Sequence, residues 1–245
     1  MGETKAKWRG DQLAFYDGET HETVKPIAPI VFYDDFLGTV INTDFWTDID
    51  VNTGTTTAPA LSVFECTLGA GNENQVAGCY GKDDKAFNIG KGLIFETRLA
   101  VTAAAASTGE IGFGVMNDSY GVTSMRFLLA DEVAKYAFFG FYTTAGAGLI
   151  PVIRTDDGTK ASGIVSSGIA AVTLAEYHVY RIDFTSLADV KFYIDGVAVA
   201  ATTTFAMDSA TSLTVQPWLC VYKHDGDAGR GSIKIDYVKI WQATR

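Results

Sequence analysis

The chain has 245 residues, 47% of them apolar, with 25 glycines and only five prolines, which excludes a disordered or fibrous protein and allows one large core. Nineteen basic residues against 29 acidic ones leave a formal charge of -10, so neither nucleic acid nor an anionic membrane surface is expected as a partner. Three cysteines exclude a disulfide scaffold.

In chain order, residues 1–30 ("MGETKAKWRGDQLAFYDGETHETVKPIAPI") are polar, carry two prolines near their end and precede the first strong strand signal. They read as an extended arm, with Trp8, Leu13, Phe15 and Tyr16 as its assembly residues. The start lacks the apolar middle of a secretory signal, and no apolar run approaches the roughly 20 residues of a membrane helix, so neither export nor membrane insertion is expected. The "RGD" at Arg9–Asp11 is a three-residue match without weight. One domain is expected over 31–245.

From there the pattern is β throughout, in short apolar or alternating runs between Gly, Asp, Asn, Ser and Thr clusters. The predicted strands are "SVFECTL", "QVAGCYG", "GLIFETRLAV", "GEIGFGVMN", "SMRFLLA", "YAFFGFYT", "LIPVIRT", "YHVYRIDF", "DVKFYIDGVAVA", "LTVQPWLCVYK" and "GSIKIDYVKIWQ". So many strands without a convincing helix fit two antiparallel sheets packed face to face. Cys66 and Cys79 flank the hairpin "GAGNENQ" and could face one another, although buried free thiols are the favoured reading. Asp-Gly at "TDDG" (Thr155–Gly158) and at Asp195-Gly196 predicts tight turns, and "TAAAASTG" (Thr102–Gly109) reads as a loop. In "IKIDYVKIW" strict alternation puts Ile233, Ile235, Tyr237 and Lys239 on one face and Lys234, Asp236, Val238 and Ile240 on the other, so neither face is purely apolar.

Three segments, "FYDDFLGTVINTDFWTDID", "EYHVYRIDFTSLADVKFYIDGVAVA" and "GSIKIDYVKIWQ", resemble in order the concanavalin A-like jelly roll of laminarinase- and lichenase-type hydrolases, laminin G-like modules and legume lectins. The resemblance spans Phe32–Gln242 and implies an all-β sandwich. In the hydrolases of this group a Glu-x-Asp-x-(x)-Glu strand projects acids into a cleft, one as nucleophile and one as acid and base, about 5 Å apart. Aligned on Glu110, "GEIGFGVMN" places Gly112 and Gly114 (or Val115) where the other acids belong, so a non-enzymatic protein is expected unless Asp118 or a distant residue substitutes.

The resemblance also implies a structural calcium, for which Asp35 and Asp236 occupy the matching positions; a hydrogen-bonding role for Asp236 is the competing reading, and otherwise no cofactor is expected. Asp225 and Asp227 in "KHDGDAGRGS" read as a solvated turn. His21, His178 and His224 show no zinc spacing, and Asn117 opens an "NDS" sequon that matters only in a secretory context. Trp46, Tyr142, Trp218 and Tyr222 are candidates for a sugar-stacking platform, although core packing is the favoured reading for aromatics in a sandwich.

The stretch "KWRGDQLAFYDGETHETVKPIAPIVFYDDF" resembles the start of structural proteins of tailed bacteriophages. It implies a virion protein assembled in the bacterial cytoplasm, a capsid decoration protein that binds the major capsid protein and oligomerises through its arm, as a trimer. A carbohydrate-binding module, with a surface glycan as ligand, is the alternative.

Overall fold

The computed structural model describes residues 4–9, 12–17, 23–24, 30–52, 54–57, 63–71, 73–104, 110–117, 136–142, 149–159, 161–223, 225–226 and 231–242. Its strands are β1 (Thr4–Arg9), β2 (Gln12–Asp17), β3 (Thr23–Val24), β4 (Ile30–Asp34), β5 (Thr47–Val51), β6 (Thr55–Thr57), β7 (Phe64–Thr67), β8 (Gln75–Tyr80) and β9 (Phe87–Asn88). They continue as β10 (Leu93–Ala104), β11 (Glu110–Met116), β12 (Tyr136–Tyr142), β13 (Pro151–Asp156), β14 (His178–Asp183), β15 (Lys191–Ile194), β16 (Val197–Val199), β17 (Thr214–Lys223) and β18 (Gly231–Gln242).

The strands from β4 onward form two antiparallel sheets, the sandwich expected from the sequence. Sheet I runs β16-β15-β14-β10-β18-β7-β6, with β4 on β18; sheet II runs β13-β12-β11-β17-β8-β5, with β9 on β17. Alternation explains the packing: Phe95, Tyr180, Ile182 and Phe192 of sheet I meet Ile111, Phe113, Phe139 and Leu219 of sheet II in one core. Tyr180 lies edge-on to Phe113 and Phe139 at 4.8 and 5.2 Å between ring centres. Each such buried side chain stabilises the fold by roughly 1.5–3 kcal/mol before entropy is counted. Cys66, Cys79 and Cys220 are buried free thiols.

β1, β2 and β3 form a third sheet of their own, with Trp8 opposite Leu13, Phe15 opposite Ala6 and Val24, and Tyr16 opposite Lys5 and Thr23. The sequence reading placed no strand there. Side chains of residues 1–30 lie outside the described residues, and so does the predicted strand "SMRFLLA".

Two local departures matter. β10 runs on to Ala104, into the stretch expected to be a loop. On β18 the register against β10 shifts between Tyr237, opposite Arg98, and Ile235, opposite Leu99, so Asp236 is an extra, bulged residue. The bulge switches the alternation, and Ile233, Ile235, Val238 and Ile240 all reach the core. The mixed faces expected from strict alternation are therefore replaced by one apolar face. At the Asp195-Gly196 turn, φ values of 50° and 78° give the left-handed pair that a two-residue hairpin needs.

Candidate functional site

β11 lies at the middle of sheet II, and because Ile111, Phe113 and Val115 face the core, Glu110, Gly112, Gly114 and Met116 share the opposite, outward face. Tyr222 and Tyr142 flank Glu110 across the strands, Cys220 and Gly140 flank Gly112, and Trp218 and Phe138 flank Gly114. Ile49, Val76, Met116, Phe138, Val152, Trp218, Cys220 and Tyr222 make this face a second buried apolar cluster. Glu110, Arg154 and Gln216 are its buried polar members. Arg154 and Gln216 escaped the sequence reading, although the outward parity of β13 and β17 would have placed them there.

Gly114 is required by close approach, since a Cβ there would sit 2.2 Å from the Ala137 carbonyl oxygen. Gly78 meets the same limit at 2.4 Å from the Leu219 carbonyl oxygen. An acid at position 114 would have to push β12 away. Asp118 lies outside the described residues.

The candidate sugar platform is not assembled, and the favoured reading, core packing, holds for Trp46, Trp218 and Tyr222. Trp218 and Tyr222 do share the outward face of sheet II, but they are 0% and 3% exposed and offer no open ring face. Trp46, 1% exposed, belongs to the main core, wedged among Phe32, Phe36 and Phe45 with its Nε1 donating to Asp34 Oδ2 at 2.8 Å. The Tyr142 side chain lies outside the described residues. In three of these cases the aromatic ring serves packing.

The calcium pair does not fit its cation either. Asp236 Oδ2 is held by Arg98 Nη1 at 2.5 Å, so a metal there would have to displace a guanidinium, and Asp35 accepts a local bond from the Leu37 N–H at 3.3 Å. Asp34 is the structural acid of this corner, accepting from the Phe36 N–H and from Trp46. Among the described residues no three His, Cys, Asp or Glu side chains gather as a metal site. His178 Nδ1 lies 2.6 Å from Asp195 Oδ2, whose other oxygen accepts the Val179 N–H. Burial raises the Asp195 carboxyl, but the His178 and Val179 hydrogen bonds and the nearby His178 and Arg98 charges outweigh it and hold it below its usual value. His21, His224 and Asp227 lie outside the described residues, and Asp225 sits in a turn.

The outward face of sheet I is solvent-accessible and polar-aromatic. One cross-strand row runs Tyr33, Lys239, Glu96, Arg181, Tyr193 over β4, β18, β10, β14 and β15. Glu96 accepts from Arg181 Nε and Nη2 at 2.9 and 2.6 Å and from the Tyr237 hydroxyl at 3.1 Å. Burial first, and then Glu96, push the Tyr237 hydroxyl far above its ordinary value. Lys239 and Arg181 lie over the Trp241 ring at 4.8 and 5.7 Å.

No family model matches the sequence, and no curated protein sequence matches it significantly. Solved structures match in shape. A β-1,3-glucanase from Mycobacterium marinum is 14% identical, with a TM-score of 0.56 over 86% of this chain and 97% of that one. The GlcNAcα1-4Gal-releasing endo-β-galactosidase from Clostridium perfringens is 12% identical, with a TM-score of 0.58 over 87% of this chain and 62% of that one. The Emp47p carbohydrate recognition domain is 12% identical, with a TM-score of 0.58 over 86% of this chain and 94% of that one. At these identities the likeness is one of fold, and the fold is the concanavalin A-like jelly roll that the sequence segments imply. The expectation that the chain is no enzyme is overturned here: its structural neighbours include named glycoside hydrolases, so Gly112 and Gly114 alone do not remove hydrolysis from its range.

Proposed function

We propose that the chain is a structural protein of a tailed-phage virion, a capsid decoration protein whose jelly roll is displayed on the particle and whose residues 1–30 join its copies, as a trimer, and bind the major capsid protein. The observation that carries this reading is the separate β1–β3 sheet, which pairs with no strand of either sandwich sheet among the described residues. Strands that add nothing to the sandwich's own sheets are available to tie copies together, and closed symmetric assemblies are the usual product of such contacts. The likeness of residues 7–36 to phage structural proteins supports the same reading.

Carbohydrate recognition is a second reading, favoured by the fold shared with glucanases and with a carbohydrate recognition domain. The two are compatible, because a domain displayed on a particle can contact a glycan. The test of the first is the copy number of this protein in density-purified particles, by quantitative mass spectrometry. Many copies in constant ratio to the major capsid protein are expected; a few copies would move the protein to the tail, and absence would end the virion reading.

A further inference from the structure

We propose that the outward face of sheet I binds a neutral polysaccharide along the row Tyr33, Lys239, Glu96, Arg181, Tyr193. This rests on the carbohydrate reading above and moves its site to the sheet opposite the one that the sequence favoured.

Alternation puts these five side chains outside, because Phe95, Tyr180, Ile182, Phe192, Val238 and Ile240 on the same strands point into the core. The row crosses five neighbouring strands, about 19 Å from end to end at the usual strand spacing. A ring stands at each end, and Tyr33 is 55% exposed. Between the rings stand an ammonium, a carboxylate and a guanidinium, with the Arg181 side chain 41% exposed. A pyranose offers an apolar C–H face for a ring and hydroxyls that both donate and accept. The guanidinium and the ammonium donate to hydroxyls, while the Glu96 carboxylate, its side chain only 10% exposed and already accepting from Arg181 and the Tyr237 hydroxyl, holds the guanidinium in place.

Charge on this face argues for a neutral ligand. Arg181 is paired with Glu96 and Arg98 with Asp236, so two of its cations are already compensated. The Tyr33 hydroxyl is pushed up by desolvation and then by the charges of Asp35, Asp236 and Asp34, which places three acids near the ring that a sugar would stack on. An anionic polymer would be repelled by those acids; a neutral one would not be. Among the described residues of sheet II, the outward rings of Phe138, Trp218 and Tyr222 are buried, and Tyr80 beside them is only partly exposed.

The test is affinity electrophoresis of the full chain through gels containing laminarin, lichenan or agarose, at low and high salt, with alginate as the anionic control and light scattering for self-association. At least one neutral polymer is expected to retard the protein equally at both salt concentrations. Tyr33→Ala and Tyr193→Ala are each expected to weaken binding about tenfold, with Tyr33→Phe restoring it, as loss and return of a stacked ring would do. Retardation by none of the polymers, alginate included, would overturn the carbohydrate reading itself. Retardation that both alanine variants leave intact would overturn this site alone, and so would salt-sensitive retardation confined to alginate. Self-association of the wild type lost in Tyr33→Ala would make the face an interface between copies and overturn the proposal.

Discussion

At the scale of single residues, the glycines of β11 show how a missing side chain can be structural. Gly114 lies opposite Phe138 and Trp218, and its Cα hydrogens leave room for the carbonyl of Ala137 where a Cβ would not fit. Gly114→Ala is therefore expected to lower the urea midpoint without changing its slope, a loss of about 1–3 kcal/mol typical of overpacking. An unchanged midpoint would mean that β12 yields at no cost. The sequence announced that acids are absent at positions 112 and 114, but the spacing of strands that makes a side chain impossible at 114 exists only once β12 lies beside β11. The same limit explains Trp218. Period-two alternation assigns its ring to one face of its strand, yet whether that face is open depends on what packs over it, which no local pattern records. Tyr33 is the converse case, a ring in an unremarked position that the edge placement of β4 leaves exposed.

At the scale of elements, the strands with strong alternation were legible, and those shaped by departures from it were not. β15 and β16, joined by Asp195-Gly196, follow the apolar periodicity of their sequence up to a turn whose residues tolerate positive φ. β18 could be located but not faced, because the bulge at Asp236 shifts its alternation by one residue, and only pairing with β10 reveals the shift. β1 and β3 were missed because they lack the apolar runs that mark core strands, and the run "LAFY" of β2 was missed because the polar stretch on either side of it reads as an arm. The Asp195 turn also carries a pH dependence. Its carboxyl is held below the ordinary value of 3.8, chiefly against burial and by the His178 and Val179 hydrogen bonds. A lowered carboxyl contributes stability that is complete above the unfolded-state value and is lost as pH falls through the folded one. Wild-type melting temperature should thus fall more steeply than that of Asp195→Asn as pH drops below about 4, and the two curves should run parallel above pH 5. Asn keeps the left-handed turn, so the comparison isolates the charge. Parallel curves throughout would show that the His178–Asp195 contact contributes nothing to folding.

At the scale of the whole molecule, the sandwich and the β1–β3 sheet answer to different constraints. Sheet I is complete from Ile30 onward: β4 pairs with β18 from Ile30 to Asp34, and Phe32 packs against the core beside Phe45, Trp46 and Phe87. A cut after Pro29 removes β1, β2 and β3 together and leaves every pair of the two sandwich sheets intact. If residues 1–30 join copies, the shortened chain should keep the far-UV spectrum of a β-sandwich and a melting temperature independent of protein concentration, while its mass by light scattering falls to that of one chain. The full chain should then show a mass several-fold higher and a melting temperature that rises with concentration, because association stabilises whatever it binds. Equal masses for the two chains would remove the assembly role from the arm. In that event the exposed side chains at the edge of sheet I, Val31 and Tyr33 on β4 with Leu37 just beyond it, would be the next surface to alter.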